Sequence, residues 1–249
     1  MTYPLGTTRS AIRSDHAVIT PDSYVRSPLP GWERTTSVVL ISPRMGAQFS
    51  QFWADMEPGA TGGAAAPNVE RFIWVAEGAV ELTLDGSEES LRAGSYAWLP
   101  PGSTAVLGSP AGAKVMVIDK PYVRLTDTSP ADAIVGHEST VESAPLLGDQ
   151  DVQVQMLIPE APAHDMAVNT MSFVVGATLP FVEVHSMEHG LLILEGTMVY
   201  RLGDEWHHLQ AGDVVYMAPY CPQWGVAYGK TPAKYLIYKD WNRDPLLQP

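Results

Sequence analysis

The sequence predicts an all-β protein built from two copies of one small β unit. Three observations support this prediction. The 249 residues include 21 glycines and 21 prolines, a density that argues against long helices and favours short strands joined by turns. The apolar residues fall in short, often alternating runs. A pattern of glycines and acidic residues recurs in the second half of the chain at one constant spacing.

The composition narrows the possible partners and the compartment. With 45% hydrophobic and 17% charged residues the chain resembles an ordinary globular protein with a sizeable core. The net charge of −13, without any cluster of Lys and Arg, argues against a nucleic-acid partner or an anionic membrane surface. Cys221 is the only cysteine, so no intrachain disulfide can form and a reducing compartment is expected. Without an apolar leader or a run approaching ~18 apolar residues, we expect a cytoplasmic protein.

Four segments divide the chain. Residues 1–34 contain several prolines and are expected to form an N-terminal arm that lies on the rest of the protein. The first copy of the β unit is expected at 35–125, a linker at 126–150 and the second copy at 151–249. Within the first copy, alternating or β-rich runs predict strands at 37–41, 47–55, 72–75, 80–84, 96–99 and 114–118.

The internal repeat has an offset of 118 residues and needs no insertion. The matching positions are Glu77-Gly78 with Glu195-Gly196, Ala93-Gly94 with Ala211-Gly212, and Pro101 with Pro219. A residue kept in both copies is expected to serve the shared fold, and the paired glycines are expected where the backbone needs a positive φ or a close approach. Two such units would remove their open edges by forming closed or sandwiched sheets.

A candidate metal site lies in the second copy alone. Glu183 and His185 are two residues apart, so in an extended segment they share one face, and His189 follows closely. One carboxylate and two imidazoles at this spacing predict metal ligands. Shifted by 118, these positions hold the non-ligands Ala65, Pro67 and Arg71. The first copy is therefore expected to be a scaffold and the second to carry the site.

These residues resemble the cupin signature, G-x5-H-x-H-x3-4-E-x6-G followed by G-x5-P-x-G-x2-H, in an altered form. Glu183, His185 and His189 stand at its first three ligand positions, and Gln223 stands at the last histidine. The first half keeps the frame of the second motif, but Ala105 replaces the ligand. The resemblance covers nearly the whole chain and implies a bicupin, in which two tandem jelly-roll (double-stranded β-helix) barrels contain one metal-free and one metal-bearing copy.

The variant ligand set, Glu-x-His-x3-His with a distant Gln, is similar to that of the (S)-ureidoglycine aminohydrolase family of purine and allantoin catabolism. The final segment 235–244 also resembles that family. The resemblance implies Mn(II), with Fe(II) or another divalent ion as the alternative, bound by Glu183, His185, His189 and Gln223. It also implies substrate contacts from Tyr200, Tyr235 and Lys239.

The implied reaction replaces the amine of (S)-ureidoglycine by water, which gives (S)-ureidoglycolate and ammonia. Lys239 and the two tyrosines would bind the carboxylate and ureido ends of the substrate. Glu183, or a hydroxide at the metal, would manage the proton transfers, so Glu183 and Lys239 are the candidate catalytic residues. Tyr235 and Lys239 are four residues apart on a strand and are expected to share its inner face.

Two alternatives remain open at this point. One is another metal-dependent cupin enzyme, such as an Fe(II) dioxygenase or an isomerase, although dioxygenases of this fold mostly present three or four histidines. The other is a non-catalytic bicupin that binds a small molecule. A homo-oligomer is expected. His207 and His208 are expected on a hairpin surface without a role, and Cys221 is expected to be a small buried residue.

Overall fold

β-Structure dominates the computed structural model, which describes residues 8–241 and residue 243. Its strands are β1 (Ala11–Ile12), β2 (His16–Ile19), β3 (Trp32–Ile41), β4 (Ser50–Gly62), β5 (Val69–Leu84), β6 (Ser87–Arg92), β7 (Ser95–Leu99), β8 (Val106–Ser109), β9 (Ala113–Pro121), β10 (Ile134–His137), β11 (Ser143–Leu146), β12 (Asp149–Met156), β13 (Ala167–Phe173), β14 (His189–Glu195), β15 (Thr197–Leu202), β16 (Glu205–Gln210), β17 (Val214–Met217), β18 (Gln223–Tyr228) and β19 (Ala233–Lys239). Three short 3-10 helices lie at Pro21–Ser23, Pro43–Met45 and Glu138–Thr140. The all-β prediction is confirmed. Within the described residues, no helix has the length and apolar character needed to cross a membrane.

The chain forms two compact units. The N-terminal unit comprises Val25–Val141 and Leu157–Asp165, and the C-terminal unit comprises Glu142–Met156 with the described parts of Met1–Tyr24 and Met166–Pro249. This division differs from the predicted one. The arm residues 8–24 belong to the C-terminal unit, because β2 pairs with β17. The stretch 126–150, predicted as a linker, contains β10 and β11, which pair with β7 and β12 respectively.

The N-terminal unit is a closed barrel. Strands β4 and β5 are long enough to pair with β9 along one half of their length and with β8 along the other. The ring β4–β9–β5–β8 therefore closes on itself and leaves none of these strands with an open edge. Alternate side chains point inward, and the core they form includes Phe52, Ile73, Leu82 and Val117. All six strands predicted in this copy lie wholly or mainly within observed strands.

The C-terminal unit contains an eight-stranded sheet in the order β1-β2-β17-β14-β19-β13-β12-β11 and a three-stranded sheet in the order β16-β15-β18. Its core includes Phe173, Leu191, Met198, Val215 and Ile237. Of the predicted arm, residues 8–24 add the β1–β2 hairpin to the edge of the larger sheet, whereas residues 25–34 belong to the N-terminal unit.

The 118-residue repeat is visible in the backbone itself. The ladder β5–β9 shifts register between Val75 and Glu77, and β14–β19 shifts between Ile193 and Glu195, which are the same positions plus 118. Hydrogen bonds repeat with the same offset and length: Ala93 N donates to Gly78 O at 3.2 Å, and Ala211 N donates to Gly196 O at 3.2 Å. The two copies therefore share one bulged strand and turn.

The paired glycines stand where the sequence predicts a constrained backbone. Gly78 and Gly196 both have a φ of +71°. A Cβ atom at Gly78 would lie 2.3 Å from the carbonyl oxygen of Gly112, and one at Gly196 would lie 2.2 Å from that of Pro232. Both the positive φ and the close approach require glycine, so these two positions serve the fold in each copy.

Candidate metal centre and its cavity

The segment before β14 is held in place by backbone pairing with β18. Glu183 and Gln223 form an isolated antiparallel bridge, in which each backbone N–H donates to the other residue's carbonyl at 2.8 and 2.9 Å. The N–H of Tyr220 donates to the carbonyl of His185 at 2.7 Å. The segment that contains Glu183 and His185 is therefore anchored by backbone hydrogen bonds, and strand β14 begins at His189. This pairing brings Gln223 opposite Glu183 although 40 residues separate them in sequence.

The four predicted ligand side chains converge on the Nε2 atom of His185. This atom lies 3.3 Å from Nε2 of His189, 2.9 Å from the side-chain amide nitrogen of Gln223 and 3.9 Å from Oε2 of Glu183. A rotation of the Gln223 amide by 180° exchanges its nitrogen and oxygen, so the amide oxygen can take the same position. The structure thus brings together two imidazole nitrogens, one carboxylate and one amide group.

This donor set fits a divalent metal ion. Nδ1 of His189 lies 3.2 Å from the carbonyl oxygen of Tyr238 and donates to it when protonated, which leaves Nε2 unprotonated and available as a ligand. Two imidazole nitrogens with two oxygen donors are harder than the cysteine-rich sets of structural zinc sites and suit Mn(II) or Fe(II). The four side chains could hold such an ion and leave further coordination positions for water or substrate.

Burial keeps the two imidazoles in the form that binds metal. It places the pKa of His189 well below its usual value, and the neighbouring His185 and Lys239 contribute in the same direction. Burial also lowers the pKa of His185. The pKa of Glu183 is raised, again by burial, with an opposing effect from the positive charge of Lys239. The site therefore holds neutral imidazoles beside one carboxyl group whose charge is costly to desolvate.

A cavity of about 320 Å³ opens onto these ligands. Its lining includes Glu183, His185, His189 and Lys239 together with mostly apolar side chains, among them Phe181 and Trp241. The Lys239 ammonium lies 5.4 Å from the centroid of the Trp241 ring. Lys239 is the cross-strand neighbour of His189, and one lysine in a largely apolar wall favours a small ligand that carries a carboxylate. No motif in the sequence marks Phe181 as a site residue. Its place in the cavity lining is apparent only from the folded structure.

Tyr200 and Tyr235 occupy a different place from Lys239. Each is 1% exposed and belongs to the core of the C-terminal unit, and neither lines the cavity. Burial raises the pKa of both hydroxyls, and the negative charge of Glu183 adds to both shifts. The Tyr235 hydroxyl lies 3.1 Å from Sδ of Met171. The structure therefore places the two tyrosines in the core of the C-terminal unit, near enough to Glu183 for its charge to affect the pKa of both hydroxyls.

The corresponding place in the first copy is occupied by an ion pair. Arg71, the counterpart of His189, donates to both carboxylate oxygens of Asp119 at 2.6 and 2.8 Å. It also donates to the carbonyl of Gly63 at 2.7 Å and lies 5.6 Å from the centroid of the Trp32 ring. Ala105, the counterpart of Gln223, is buried and offers no donor atom. In this copy a salt bridge stands where the second copy has its candidate ligands.

Comparison with known proteins defines the class first. A family model of the cupin domain matches residues 169–238, which include β13 to β19 up to Tyr238. The Mn(II)-containing oxalate decarboxylase of Bacillus subtilis has a similar structure, with a TM-score of 0.69 at 10% identity, and the match covers 90% of this chain and 77% of that one. At that identity the likeness concerns the fold alone. The β fold and the match to the cupin domain define the protein as a cupin.

The particular family follows from nearer relatives. The (S)-ureidoglycine aminohydrolase of Arabidopsis thaliana is 43% identical over 244 residues, which cover 97% of this chain and 80% of the relative. Among solved structures, the protein Ylba of Escherichia coli matches with a TM-score of 0.85 and 27% identity, covering 98% of both chains. The chain belongs to the (S)-ureidoglycine aminohydrolase family, as the ligand pattern predicts.

Proposed function

We propose that this chain hydrolyses (S)-ureidoglycine to (S)-ureidoglycolate and ammonia, a step in the breakdown of allantoin. The C–N bond to the amine breaks and a C–O bond from water forms at the same carbon. Membership of the aminohydrolase family supports this reaction. The observation that carries the proposal is the convergence of Glu183, His189 and Gln223 on His185 beside a cavity that contains one lysine.

We propose Glu183, His185, His189 and Gln223 as the ligands of a Mn(II) ion. A bound divalent ion would supply Lewis-acid stabilisation of negative charge and would orient the substrate. The oxygen-containing donor set supports Mn(II), and Fe(II) remains the alternative, because residue types alone do not choose between these two ions.

Lys239 is proposed to bind the substrate carboxylate. Its side chain lines the same cavity as the ligands, and the apolar surroundings strengthen an ion pair compared with bulk water. This contact would fix one end of the substrate and distinguish the two faces of the reacting carbon. Glu183 is proposed to take and return protons at its carboxyl group. Burial raises the pKa of this group, so its protonated form is more accessible than that of a solvent-exposed carboxyl group.

Tyr200 and Tyr235 remain proposed participants on the ureido side. Because both side chains are buried beyond the cavity lining, we place them as groups that shape the inner end of the site near Glu183. Direct contact between either hydroxyl and the substrate stays a prediction.

Ammonia release from freshly generated (S)-ureidoglycine tests the proposed reaction. The substrate decays spontaneously, so each rate is compared with a control that lacks enzyme. We expect release well above this background, and we expect Lys239→Met to raise KM strongly. Lys230→Met, which changes an exposed lysine, should leave KM and kcat unaltered. Metal binding without ammonia release would contradict the proposed reaction and favour another cupin chemistry, either a dioxygenase or an isomerase.

A further inference from the structure

A second group of potential metal ligands lies in the C-terminal unit, apart from the cavity. It joins His16 of β2 with Glu205 and His207 of β16. Along β16, Glu205, His207 and Leu209 point to one face, whereas Trp206, His208 and Gln210 are exposed on the other. The predicted surface position is therefore correct for His208 but wrong for His207, whose side chain is only 11% exposed.

The three side chains converge. One ring nitrogen of each histidine and one carboxylate oxygen of Glu205 all lie within 4.8 Å of one another. The two imidazole rings meet edge to face with their centroids 5.3 Å apart. Oε2 of Glu205 lies 3.7 Å from Nε2 of His207. Small side-chain rotations would bring such donors to the ~2.0–2.2 Å that zinc requires.

The histidines are buried with unsatisfied nitrogen atoms. His16 is 3% exposed, and neither its Nε2 atom nor that of His207 has a hydrogen-bond partner in the part of the chain that the structure describes. Leaving two buried ring nitrogens unsatisfied is unfavourable, so each such group calls for an explanation. A shared cation would satisfy both nitrogens at once.

The surroundings of His16 resemble the outer shell of a metal site. Its Nδ1 atom lies 2.9 Å from Oδ1 of Asp15. A carboxylate that accepts from Nδ1 fixes the ring and presents Nε2 as the unprotonated ligand. Arg13 binds the other oxygen of Glu205 at 2.6 Å, which orients that carboxylate while its charge opposes a cation.

Cys221 offers a second set of donors around the same histidine. Donor atoms of Asp15, His16 and Cys221 also lie within 4.8 Å of one another. The Sγ of Cys221 already donates to the carbonyl oxygen of Pro222 at 3.7 Å. Because His16 and His207 each have a buried Nε2 atom that is unsatisfied within the described residues, the donor set with two histidines is favoured over the one with the thiol.

We propose that His16, Glu205 and His207 form a second divalent-cation site, distinct from the proposed catalytic one, that binds a zinc-class ion and fastens the β1–β2 hairpin to β16. Imidazole-rich sets with one carboxylate suit Zn(II), Co(II) and Ni(II) more than Mn(II). The site shares no residue with the cavity and its role is structural, since the ion would link residues that lie far apart in the chain.

Metal titration of the full chain tests this proposal. Protein treated with a chelator and then dialysed is titrated with ZnCl₂ in a calorimeter, and with Co(II) while its visible absorption is recorded. We expect His185→Ala, which disables the catalytic set, to retain one tight equivalent. The double variant His185→Ala/His207→Gln should retain none. His185→Ala/His208→Gln changes the exposed neighbour on the same strand and should still bind one equivalent.

Thermal unfolding provides the second readout. Zinc should raise the Tm of His185→Ala and leave the Tm of His185→Ala/His207→Gln unchanged. The Tm without metal shows whether the His207 substitution has damaged the fold. Glu205→Gln, at a residue that is 41% exposed, provides a milder variant whose zinc affinity should fall about tenfold or more. Equal stoichiometry and equal Tm shifts in the His207 and His208 variants would overturn the proposal, and so would the absence of zinc binding by His185→Ala.

Discussion

At the scale of single residues, the environment of Glu183 governs the proposed chemistry. Burial raises the pKa of its carboxyl group, and the nearby ammonium of Lys239 limits that rise. Removing the charge while keeping the shape separates the role of the carboxylate as a ligand from its role in proton transfer. An amide can still offer an oxygen donor but cannot exchange protons at neutral pH.

We therefore expect Glu183→Gln to lower kcat by about 100-fold or more while the protein still binds Mn(II). Steady-state ammonia release and the metal content after gel filtration measure the two effects separately. Glu195→Gln, an exposed glutamate at the end of β14, is the matched control and should behave as wild type. Near-normal turnover by Glu183→Gln with bound metal would remove Glu183 from the proton-transfer role.

The sequence indicates the ligand residues more readily than their surroundings. Glu183, His185 and His189 are close in the chain, and the repeat marks them because the first copy lacks them. Gln223 required the family pattern, since its position opposite Glu183 arises from a bridge between distant segments. His16 and His207 meet through tertiary pairing alone, and no local spacing connects them.

At the scale of elements, the close contact at Gly196 holds the bulged strand β14 against the turn before β19. We expect Gly196→Ala to destabilise the protein by at least about 2 kcal/mol, because it adds a positive-φ penalty to a clash with the Pro232 carbonyl. Gly176→Ala also has a positive φ but meets no atom within 4 Å, so it should cost only about 1 kcal/mol. Denaturant unfolding measures both values. Equal losses of unfolding free energy in the two variants would show that the close approach of Gly196 to the Pro232 carbonyl does not contribute.

A buried histidine in the N-terminal unit predicts a pH-dependent stability. His164 is 4% exposed, lies against the ring of Trp98 at 4.5 Å between centroids, and has a pKa lowered by burial. The unfolded chain gains a proton on this residue as the pH falls through about 6.5, whereas the folded chain gains it only at a lower pH. Stability attributable to His164 is therefore present above that pH and declines below it.

Denaturant unfolding between pH 7.5 and pH 5.5 tests this dependence. The decline in unfolding free energy should be smaller in His164→Gln than in wild type, whereas the exposed His208→Gln should leave the decline unchanged. An identical decline in all three proteins would show that His164 does not contribute.

The strand predictions succeeded where alternation was clear and failed where it was not. Residues 72–75 and 80–84 were separated by Glu77-Gly78 in the sequence, yet they belong to the single strand β5, because a bulge absorbs the irregular position. Alternation alone does not mark strand β6, because five of its six residues are exposed and polar. Cross-strand pairing thus determines strand boundaries that the local composition does not reveal.

At the scale of the whole molecule, the chain is not two consecutive domains. The C-terminal unit includes residues 8–24 and 142–156, and the N-terminal unit includes Leu157–Asp165. Sequence composition could indicate two copies and an arm, but it could not assign the arm to a copy. That assignment depends on long-range contacts such as the pairing of β2 with β17.

The arm contributes a buried ion pair to the C-terminal unit. Arg9 donates to both carboxylate oxygens of Asp213 at 2.6 and 2.8 Å, and the Asp213 side chain is fully buried. We expect Arg9→Met to lower the unfolding free energy by roughly 2 kcal/mol, since it leaves a buried carboxylate with one partner fewer. Arg26→Met removes a pair whose members are both more exposed and should cost less than about 1 kcal/mol. Similar losses of unfolding free energy in the two variants would show that the Arg9–Asp213 pair does not anchor residues 8–24 to the C-terminal unit.

The assembly of the protein remains a prediction. The expected homo-oligomer can be checked by light scattering coupled to gel filtration, with the 27.0 kDa chain as the reference mass.

The most direct test of the proposed function is to restore activity to metal-free protein with Mn(II). Chelator-treated protein is titrated with Mn(II), and ammonia release from (S)-ureidoglycine is measured at each addition. We expect release to rise in proportion to added metal, to saturate at one Mn(II) per chain, and to stay at background in Gln223→Ala. Full activity without metal, or an unchanged titration in Gln223→Ala, would contradict the assignment of Glu183, His185, His189 and Gln223 as the catalytic metal site.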